Sequence, residues 1–180
     1  DCVDLNTVPT GGGAMIRTLP TDLTTSWTSV ESSTTNRTPV VNSDGTFDCG
    51  CNYYNLIHEI TMGNEYSFII DFNNTVKSFY FAFIRFNNDA IQNLVSFSNT
   101  KVSDQSDLTT GNNRLVLTVA SNGKVTAYFK TDSYKMGTVY NGNPYRLEAS
   151  NYNTGNTLTV DSIRVCDSVL SSTEINTILG

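Results

Sequence analysis

The sequence predicts an all-β fold, a two-sheet antiparallel jelly-roll sandwich with one short C-terminal helix. Short strand-like segments recur with turn signals between them, as in sandwiches and barrels. The polar residues are mostly Asn, Thr, Ser and Gly, which favour strands and turns over helices. No helical segments alternate with the strands, which excludes a parallel α/β sheet. A chain of 180 residues fits a single domain, so we assign residues 1–180 to one unit.

The first part of the chain, residues 1–46, has little periodic pattern. It is rich in Thr and Ser and is interrupted by Gly11-Gly12-Gly13. Its low charge and interspersed apolar residues such as Trp27 and Val30 argue against disorder. We expect short strands or a long ordered arm, which packs on the rest of the domain.

Strands become clear after Gly63. Residues 65–72 alternate, and the predicted apolar face consists of Tyr66, Phe68, Ile70 and Phe72. Residues 78–86 are apolar on both faces, with Phe79, Phe81 and Phe83 expected in the core and Tyr80, Ile84 and Phe86 on the opposite face. A strand of this kind is covered on both sides or offers one face for binding.

The second half of the chain continues with shorter strands. Residues 93–97 form one strand, and residues 114–119 and 125–130 form a hairpin. Asn122-Gly123 predicts a two-residue turn between the hairpin strands. Residues 140–144 are expected in a loop and 145–149 in a strand.

The last strand and the helix carry specific signals. The apolar positions of residues 158–166 change parity, which indicates a bulge near Asp161-Ser162. Ser171 followed by Glu174 is typical of a helix capping box, and Leu170 with Ile175 is typical of a hydrophobic staple. We expect a short helix that ends at Gly180.

The charge balance excludes several partners. The net charge of −6 and the lack of a basic patch argue against nucleic acid. No apolar run approaches the roughly 20 residues that span a bilayer, so membrane insertion is not expected. The chain starts at Asp1, which we interpret as a processed or excised product.

The four cysteines point to disulfides. Cys2, Cys49, Cys51 and Cys166 allow two bonds in three connectivities. Zinc sites usually show paired Cys-x-x-Cys motifs or several histidines, and this chain has only His58. Disulfides imply an oxidising compartment, so we expect a secreted, cell-surface or virion-surface protein.

Residues 113–179 resemble the laminin-G-like branch of the concanavalin A-like lectin/glucanase superfamily. Residues 114–119 and 124–129 are similar to a hairpin of that family, and residues 160–175 follow its closing pattern of strand and capped helix. The Trp-His pair that often opens the hairpin is absent, and Asn113-Arg114 stands there. The glucanase Glu-x-Asp-x-x-Glu strand is absent as well, so we expect no glycosidase activity and no enzyme.

The resemblance implies two structural features. The first and last strands are neighbours in this fold, which makes Cys2 the expected disulfide partner of Cys166. Members often hold a structural calcium, and Asp161 matches the position of one ligand, with Asp44 as a candidate on the early side. Alternatively, no cofactor is bound and Asp161 only forms hydrogen bonds at the bulge.

The function expected from these observations is non-catalytic binding, with a carbohydrate or cell-surface ligand. In lectins of this fold the concave face and its loops hold the ligand, and aromatic rings and Asn amides suit sugars. The candidate ligand-binding residues are Tyr80, Phe86, Tyr140, Asn141, Tyr152 and Asn153. The alternative is a structural subunit of an extracellular filament or virion, such as a tail, fibre or capsid decoration, whose partners are further copies or other subunits.

Overall fold

A computed structural model describes residues 2–4, 28–29, 38–51, 53–75, 81–86, 94–96, 111–130, 134–140, 143–151, 155 and 157–180. The strands are β1 (Cys2–Asp4), β2 (Thr28–Ser29), β3 (Val40–Val41), β4 (Phe47–Asp48), β5 (Tyr53–Glu59), β6 (Tyr66–Asn74), β7 (Phe81–Phe86), β8 (Leu94–Ser96), β9 (Gly111–Val119), β10 (Val125–Lys130), β11 (Tyr134–Tyr140), β12 (Pro144–Asn151) and β13 (Leu158–Cys166). A helix, α1 (Ser172–Leu179), follows the last strand.

The strands form two antiparallel sheets. The larger, eight-stranded sheet has the order β11-β10-β9-β6-β13-β4-β3, with β1 also pairing with β13. The smaller, five-stranded sheet has the order β2-β5-β12-β7-β8. The predicted all-β sandwich with a short C-terminal helix is confirmed.

The main core lies between the two sheets. From the larger sheet, Phe68, Ile70 and Phe72 of β6 contribute fully buried side chains, and Tyr66 packs against them partly buried. From the smaller sheet, Leu147 and Ala149 of β12 contribute. The alternation predicted for residues 65–72 is therefore correct, because successive side chains of a strand point to opposite faces.

The prediction for residues 78–86 is wrong at Ile84. Ile84 was expected on the outer face with Tyr80 and Phe86, but it is fully buried in the core and lies opposite Leu147 of β12. Because residues 78–86 are apolar on both faces, their sequence pattern does not determine which face of the strand points inward. The side chains of Phe81, Phe83 and Phe86 lie outside the described residues, as does Tyr80 altogether.

A second apolar cluster attaches α1 to the outer face of the larger sheet. Ile175 and Leu179 of the helix pack on Ile69, Val116 and Cys166 of the sheet. The predicted capping box is present: the Glu174 backbone N–H donates to Ser171 Oγ (3.2 Å), and the Ser171 backbone N–H donates to Glu174 Oε2 (2.8 Å). The helix ends at Gly180, which takes the left-handed conformation at φ 84°.

The hairpin between β9 and β10 is real, but its turn differs from the prediction. The backbone N–H of Gly123 donates to Ala120 O (2.8 Å), and that of Ala120 donates to Lys124 O (2.9 Å), which leaves Ser121, Asn122 and Gly123 as the loop. This is a three-residue loop with a left-handed glycine at its end (Gly123, φ 84°), rather than a two-residue turn. The Lys124 backbone N–H also donates to Asn122 Oδ1 (3.0 Å), and that bond favours the longer loop.

Three parts of the chain contain strands whose positions were not predicted. The described parts of the N-terminal arm form β1, β2 and β3, which extend both sheets. Residues 53–59 and 134–140 are strands that the sequence pattern did not reveal. Tyr140 is consequently the last residue of β11 and not part of a loop.

The cysteines divide into two kinds. Cys166 is disulfide-bonded, and Cys2 is directly opposite it in the ladder between β1 and β13. Directly opposed residues in antiparallel strands have Cα atoms about 4.5–5.5 Å apart, which falls within the disulfide range. The prediction that Cys49 and Cys51 are also disulfide-bonded is wrong: both are buried thiols. Only Gly50 separates them, which makes a mutual bond strained.

Candidate functional site

A row of polar side chains crosses three neighbouring strands on the outer face of the larger sheet. Asp71 of β6 is opposite Arg114 of β9 on one side and Ser162 of β13 on the other. Asp71 faces outward because its neighbours Ile70 and Phe72 face the core. The row thus follows directly from strand register and alternation.

The predicted bulge in β13 adds a second acidic group to this face. The register of β13 against β6 shifts between Val160 and Ser162, so Asp161 is the extra residue. The shift keeps both Val160 and Ile163 in the core while it places Asp161 beside the polar row. Together these strands line an open pocket of about 430 Å³, formed by Asp71, Asn112, Asn113, Arg114, Asp161 and Ser162.

The floor of the pocket is fixed by an ion pair. Arg114 Nε donates to Asp71 Oδ1 (2.6 Å) and Arg114 Nη2 donates to Asp71 Oδ2 (3.0 Å), a bidentate arrangement. Ser162 Oγ donates to Asp71 Oδ2 as well (3.0 Å). Arg114 Nη1 donates to the carbonyl of Ile178 (3.1 Å), which ties the last turn of α1 to the edge of the pocket.

Asparagine pairs form the rim of the pocket, where β6 ends and β9 begins. Asn73 Nδ2 donates to Asn112 Oδ1 (2.9 Å), and Asn113 Nδ2 donates to Asn74 Oδ1 (2.6 Å). Asn113 Nδ2 also contacts the carbonyl of Gly111 (3.2 Å). These bonds orient the amides, and among the described residues the Nδ2 group of Asn112 donates to no protein acceptor.

The two carboxyl groups of the pocket have opposite environments. Burial raises the pKa of Asp71, but the hydrogen bonds and charge of Arg114, with Ser162 and Arg164, outweigh it and hold the pKa below its usual value. Burial and the negative charges of Asp71 and Asp44 raise the pKa of Asp161. Asp44 lies in the turn between β3 and β4, where its Oδ1 accepts hydrogen bonds from the Thr46 hydroxyl (2.7 Å) and backbone N–H (3.0 Å).

These environments predict opposite pH effects for two matched substitutions. Ionised Asp71 is favoured by folding, so its contribution is present above its unfolded-state pKa and is lost as pH falls through its lower folded-state value. Ionised Asp161 is disfavoured by folding, so it costs stability above its folded-state pKa and costs nothing well below pH 4. We expect Asp71→Asn to lower and Asp161→Asn to raise the free energy of unfolding at pH 7, each by up to about 1 kcal/mol.

Urea unfolding of both variants between pH 3 and pH 7 measures these effects. Both differences from the unmodified protein should shrink as the pH falls below 4, because the carboxyl groups become neutral in both states. Variants that shift stability in the same direction at pH 7 would contradict the assignment.

The predicted calcium site is not formed by the side chains that the structure describes. Asp161 and Asp44 are close enough for their charges to interact. Calcium prefers six to eight oxygen ligands, yet the described residues contain no group of three His, Cys, Asp or Glu side chains placed to hold a metal ion. Calcium therefore stays a prediction.

The predicted ligand-binding residues stay a prediction, because the structure does not describe their side chains. Asn141, Tyr152 and Asn153 lie outside the described residues, as does Tyr80, and only the backbones of Phe86 and Tyr140 are described. His58 is half-buried and packs edge-to-face on Tyr66 and Phe68, with ring centroids 5.8 Å apart in both pairs. Of the predicted ligand and metal positions, Asp161 lies at the pocket.

Sequence reasoning missed most of the pocket. Asp71, Arg114 and Ser162 were not candidates, and neither were the rim asparagines. The available signal was a charged residue at an outward position of an otherwise apolar strand, residues 66–72, since such a charge requires a partner on the adjacent strands. The pairing of β6 with both β9 and β13 decides which residues those partners are.

In the described part of the chain no helix is both long and apolar enough to cross a membrane.

Neither protein-family models nor curated proteins match the chain. Among solved structures, the binding domain of botulinum neurotoxin DC in complex with SialylT matches with a TM-score of 0.50 and 10% identity, over 80% of this chain and 45% of that chain. The metal-free carbohydrate recognition domain of Emp46p matches with a TM-score of 0.45 and 14% identity, over 84% of this chain and 96% of that one. The exoplasmic/lumenal domain of VIP36, bound to Ca²⁺ and Man3GlcNAc, matches with a TM-score of 0.47 and 8% identity, over 79% and 86%.

These likenesses concern the fold. The chain spans less than half of the toxin chains that it matches. At 10% identity, the toxin domain shares with this chain the fold alone, and its ligand does not carry over with that fold.

Proposed function

We propose that this domain is a non-catalytic carbohydrate-binding module and that the pocket on the larger sheet is its site. The observation that carries the proposal is the lining of the pocket, which consists of carboxylate, amide, guanidinium and hydroxyl groups. Sugar hydroxyls both donate and accept hydrogen bonds, so they are matched by acceptors such as Asp161 and by donors such as the Asn112 amide.

The dimensions and rigidity of the pocket suit a small part of a glycan. A volume of about 430 Å³ lies within the usual range for small-molecule sites and is enough for one or two sugar rings. Asp71 and Arg114 hold each other through two hydrogen bonds, so a ligand does not have to order them. A site that is already ordered loses less conformational entropy on binding.

Three further observations bear on the role, the family and the location of this protein. A toxin binding domain with this fold has been solved in complex with SialylT. On the sequence resemblance, we also propose that the chain is a laminin-G-like member of the concanavalin A-like superfamily with an adhesion role. The disulfide at Cys166 fits a secreted protein or one displayed on a cell or virion surface.

The two carboxyl groups do not suit hydrolysis. Glycosidases need one carboxyl group as acid and a second as base or nucleophile. Both oxygens of Asp71 already accept hydrogen bonds from Arg114 or Ser162, so neither is poised to take a proton from water or to attack a sugar carbon. The pocket therefore supports binding without turnover.

Substitution of Asn112 tests the site. We expect Asn112→Ala to weaken binding of a glycan by about 10-fold, because one or two hydrogen bonds of about 0.5–1.5 kcal/mol each are lost. A glycan array selects the probe, and titration calorimetry measures its dissociation constant in calcium and in EDTA. The calcium comparison tests the metal prediction in the same experiment.

Asn64→Ala is the matched control. Asn64 is exposed and precedes β6, roughly 20 Å along the strand from Asp71. The control should bind as the unmodified protein does. Equal binding by Asn112→Ala and the unmodified protein would remove the pocket as the site. A protein that binds no glycan but forms ordered polymers in light scattering would support the filament or virion subunit instead.

A further inference from the structure

We propose that the pocket selects glycans without negative charge and rejects those that carry carboxylate or sulfate groups at the bound residue. This inference rests on the proposed function, because it names the class of glycan that the same site accepts. It is carried by the arrangement of charges around the pocket.

The charge count favours a neutral ligand. Two carboxylates, Asp71 and Asp161, line the pocket against one guanidinium, Arg114. At neutral pH these residues sum to −1, and the chain as a whole carries −6. Neither the pocket nor the wider protein attracts an anion.

The one cation in the lining is already occupied. Arg114 donates through Nε and Nη2 to Asp71 and through Nη1 to the Ile178 carbonyl. Recognition of a sugar carboxylate by arginine usually uses two parallel N–H groups. The Nε–Nη2 edge of Arg114 is held by Asp71, so a carboxylate bound at the remaining N–H groups of Arg114 would lie beside the charge of Asp71.

The opposite wall is formed by Asp161, with Asp44 near it. Asp161 projects from the bulge of β13, and Asp44 lies close enough in the β3–β4 turn for the two charges to repel. Arg164 acts on Asp71. An anionic ligand would add a third negative charge to this wall, whereas hydroxyl groups can donate to its carboxylates.

The proposal separates this pocket from sites that take sialylated ligands. A toxin binding domain of similar fold has been solved in complex with SialylT. The fold does not determine such a preference, because ligand specificity lies in individual side chains. We expect this chain to prefer the unsialylated member of a matched glycan pair.

The probes are matched pairs of lactose-series glycans, with and without a terminal sialic acid or sulfate. An array compares the pairs, and titration calorimetry then measures the dissociation constants of the pair that binds most tightly. We expect the neutral member to bind about 10-fold more tightly, since one like-charge contact in a partly exposed site costs on the order of 1 kcal/mol or more. Asp161→Asn should reduce that ratio to about 3-fold or less by removing one of the repelling charges.

Asp167→Asn is the control for Asp161→Asn. It changes the net charge by the same amount, but Asp167 is exposed beyond the end of β13, six residues from the bulge. It should leave the ratio unchanged. If the acidic glycan binds as tightly as the neutral one or more tightly, and if Asn112→Ala abolishes that binding, the proposed charge selection is wrong. The pocket would still be the binding site in that case. An array without any binding would overturn the proposed function, and this inference with it.

Discussion

Replacing Cys2 and Cys166 together with serine is expected to lower the free energy of unfolding by about 4–5 kcal/mol, the loop-closure estimate for a cross-link that encloses most of a chain. Cys166 is disulfide-bonded and has Cys2 opposite it in the β1–β13 ladder. The bond removes conformational freedom mainly from the unfolded chain, so its loss lowers stability although few folded-state contacts change. Urea unfolding of the purified variant measures the effect.

Two comparisons separate the cross-link from the loss of a buried thiol. Cys49→Ala removes a fully buried sulfur without breaking the bond and should cost much less than the double variant. Peptide mapping without reduction should recover Cys2 linked to Cys166, with Cys49 and Cys51 as thiols. A linkage through Cys49 or Cys51, or an undiminished stability of the double variant, would refute the pairing.

Phe68→Ala is the second large effect, with an expected loss of about 3–5 kcal/mol. Phe68 is fully buried on β6, a central strand of the larger sheet, and belongs to the core between the sheets. Its ring stacks on Tyr66 with 5.8 Å between centroids and an angle of 8° between planes. Truncation removes these contacts and leaves a cavity that rigid neighbouring strands fill poorly.

The controls for Phe68→Ala test burial and size separately. Phe68→Leu keeps most of the volume and should cost less than half as much. Val169→Ala removes a similar kind of group from a side chain that is 40% exposed, and it should change stability by no more than about 0.5 kcal/mol. A cost for Phe68→Ala as small as that of Val169→Ala would mean that the inward face of β6 is assigned wrongly.

Local signals explain which features of the fold were predictable. The inward face of residues 66–72, the bulge at Asp161 and the capping box at Ser171 each depend on a few adjacent residues, and each prediction was correct. The prediction at Ile84 was wrong because residues 78–86 are apolar on both faces, and only the packing of the two sheets decides which face points inward. The strands of the N-terminal arm could not be located from the sequence, because strands of two or three residues are defined by their pairing alone.

The candidate site was less predictable than the fold for a related reason. Arg114 and Ser162 are 43 and 91 positions from Asp71 in the sequence, and only sheet order makes them neighbours. Aromatic residues with adjacent asparagines were the obvious candidates for sugar binding, yet the described residues that line this pocket include no aromatic side chain. Asp161 was predicted because the apolar positions of residues 158–166 change parity, and this change indicates the bulge on which Asp161 lies.

The position of β13 has a consequence for how the chain reaches its folded state. This strand comes last in the sequence but lies inside the larger sheet, where it pairs with β6 on one side and with β4 and β1 on the other. A nascent chain cannot complete that sheet until residue 166 has left the ribosome. Until then, the edge of β6 that pairs with β13 is unpaired. Pairing across such long separations is slow, typically milliseconds to seconds or longer. During biosynthesis the waiting edge of β6 is therefore the part of this domain most exposed to aggregation, and the segment for which chaperone protection matters most.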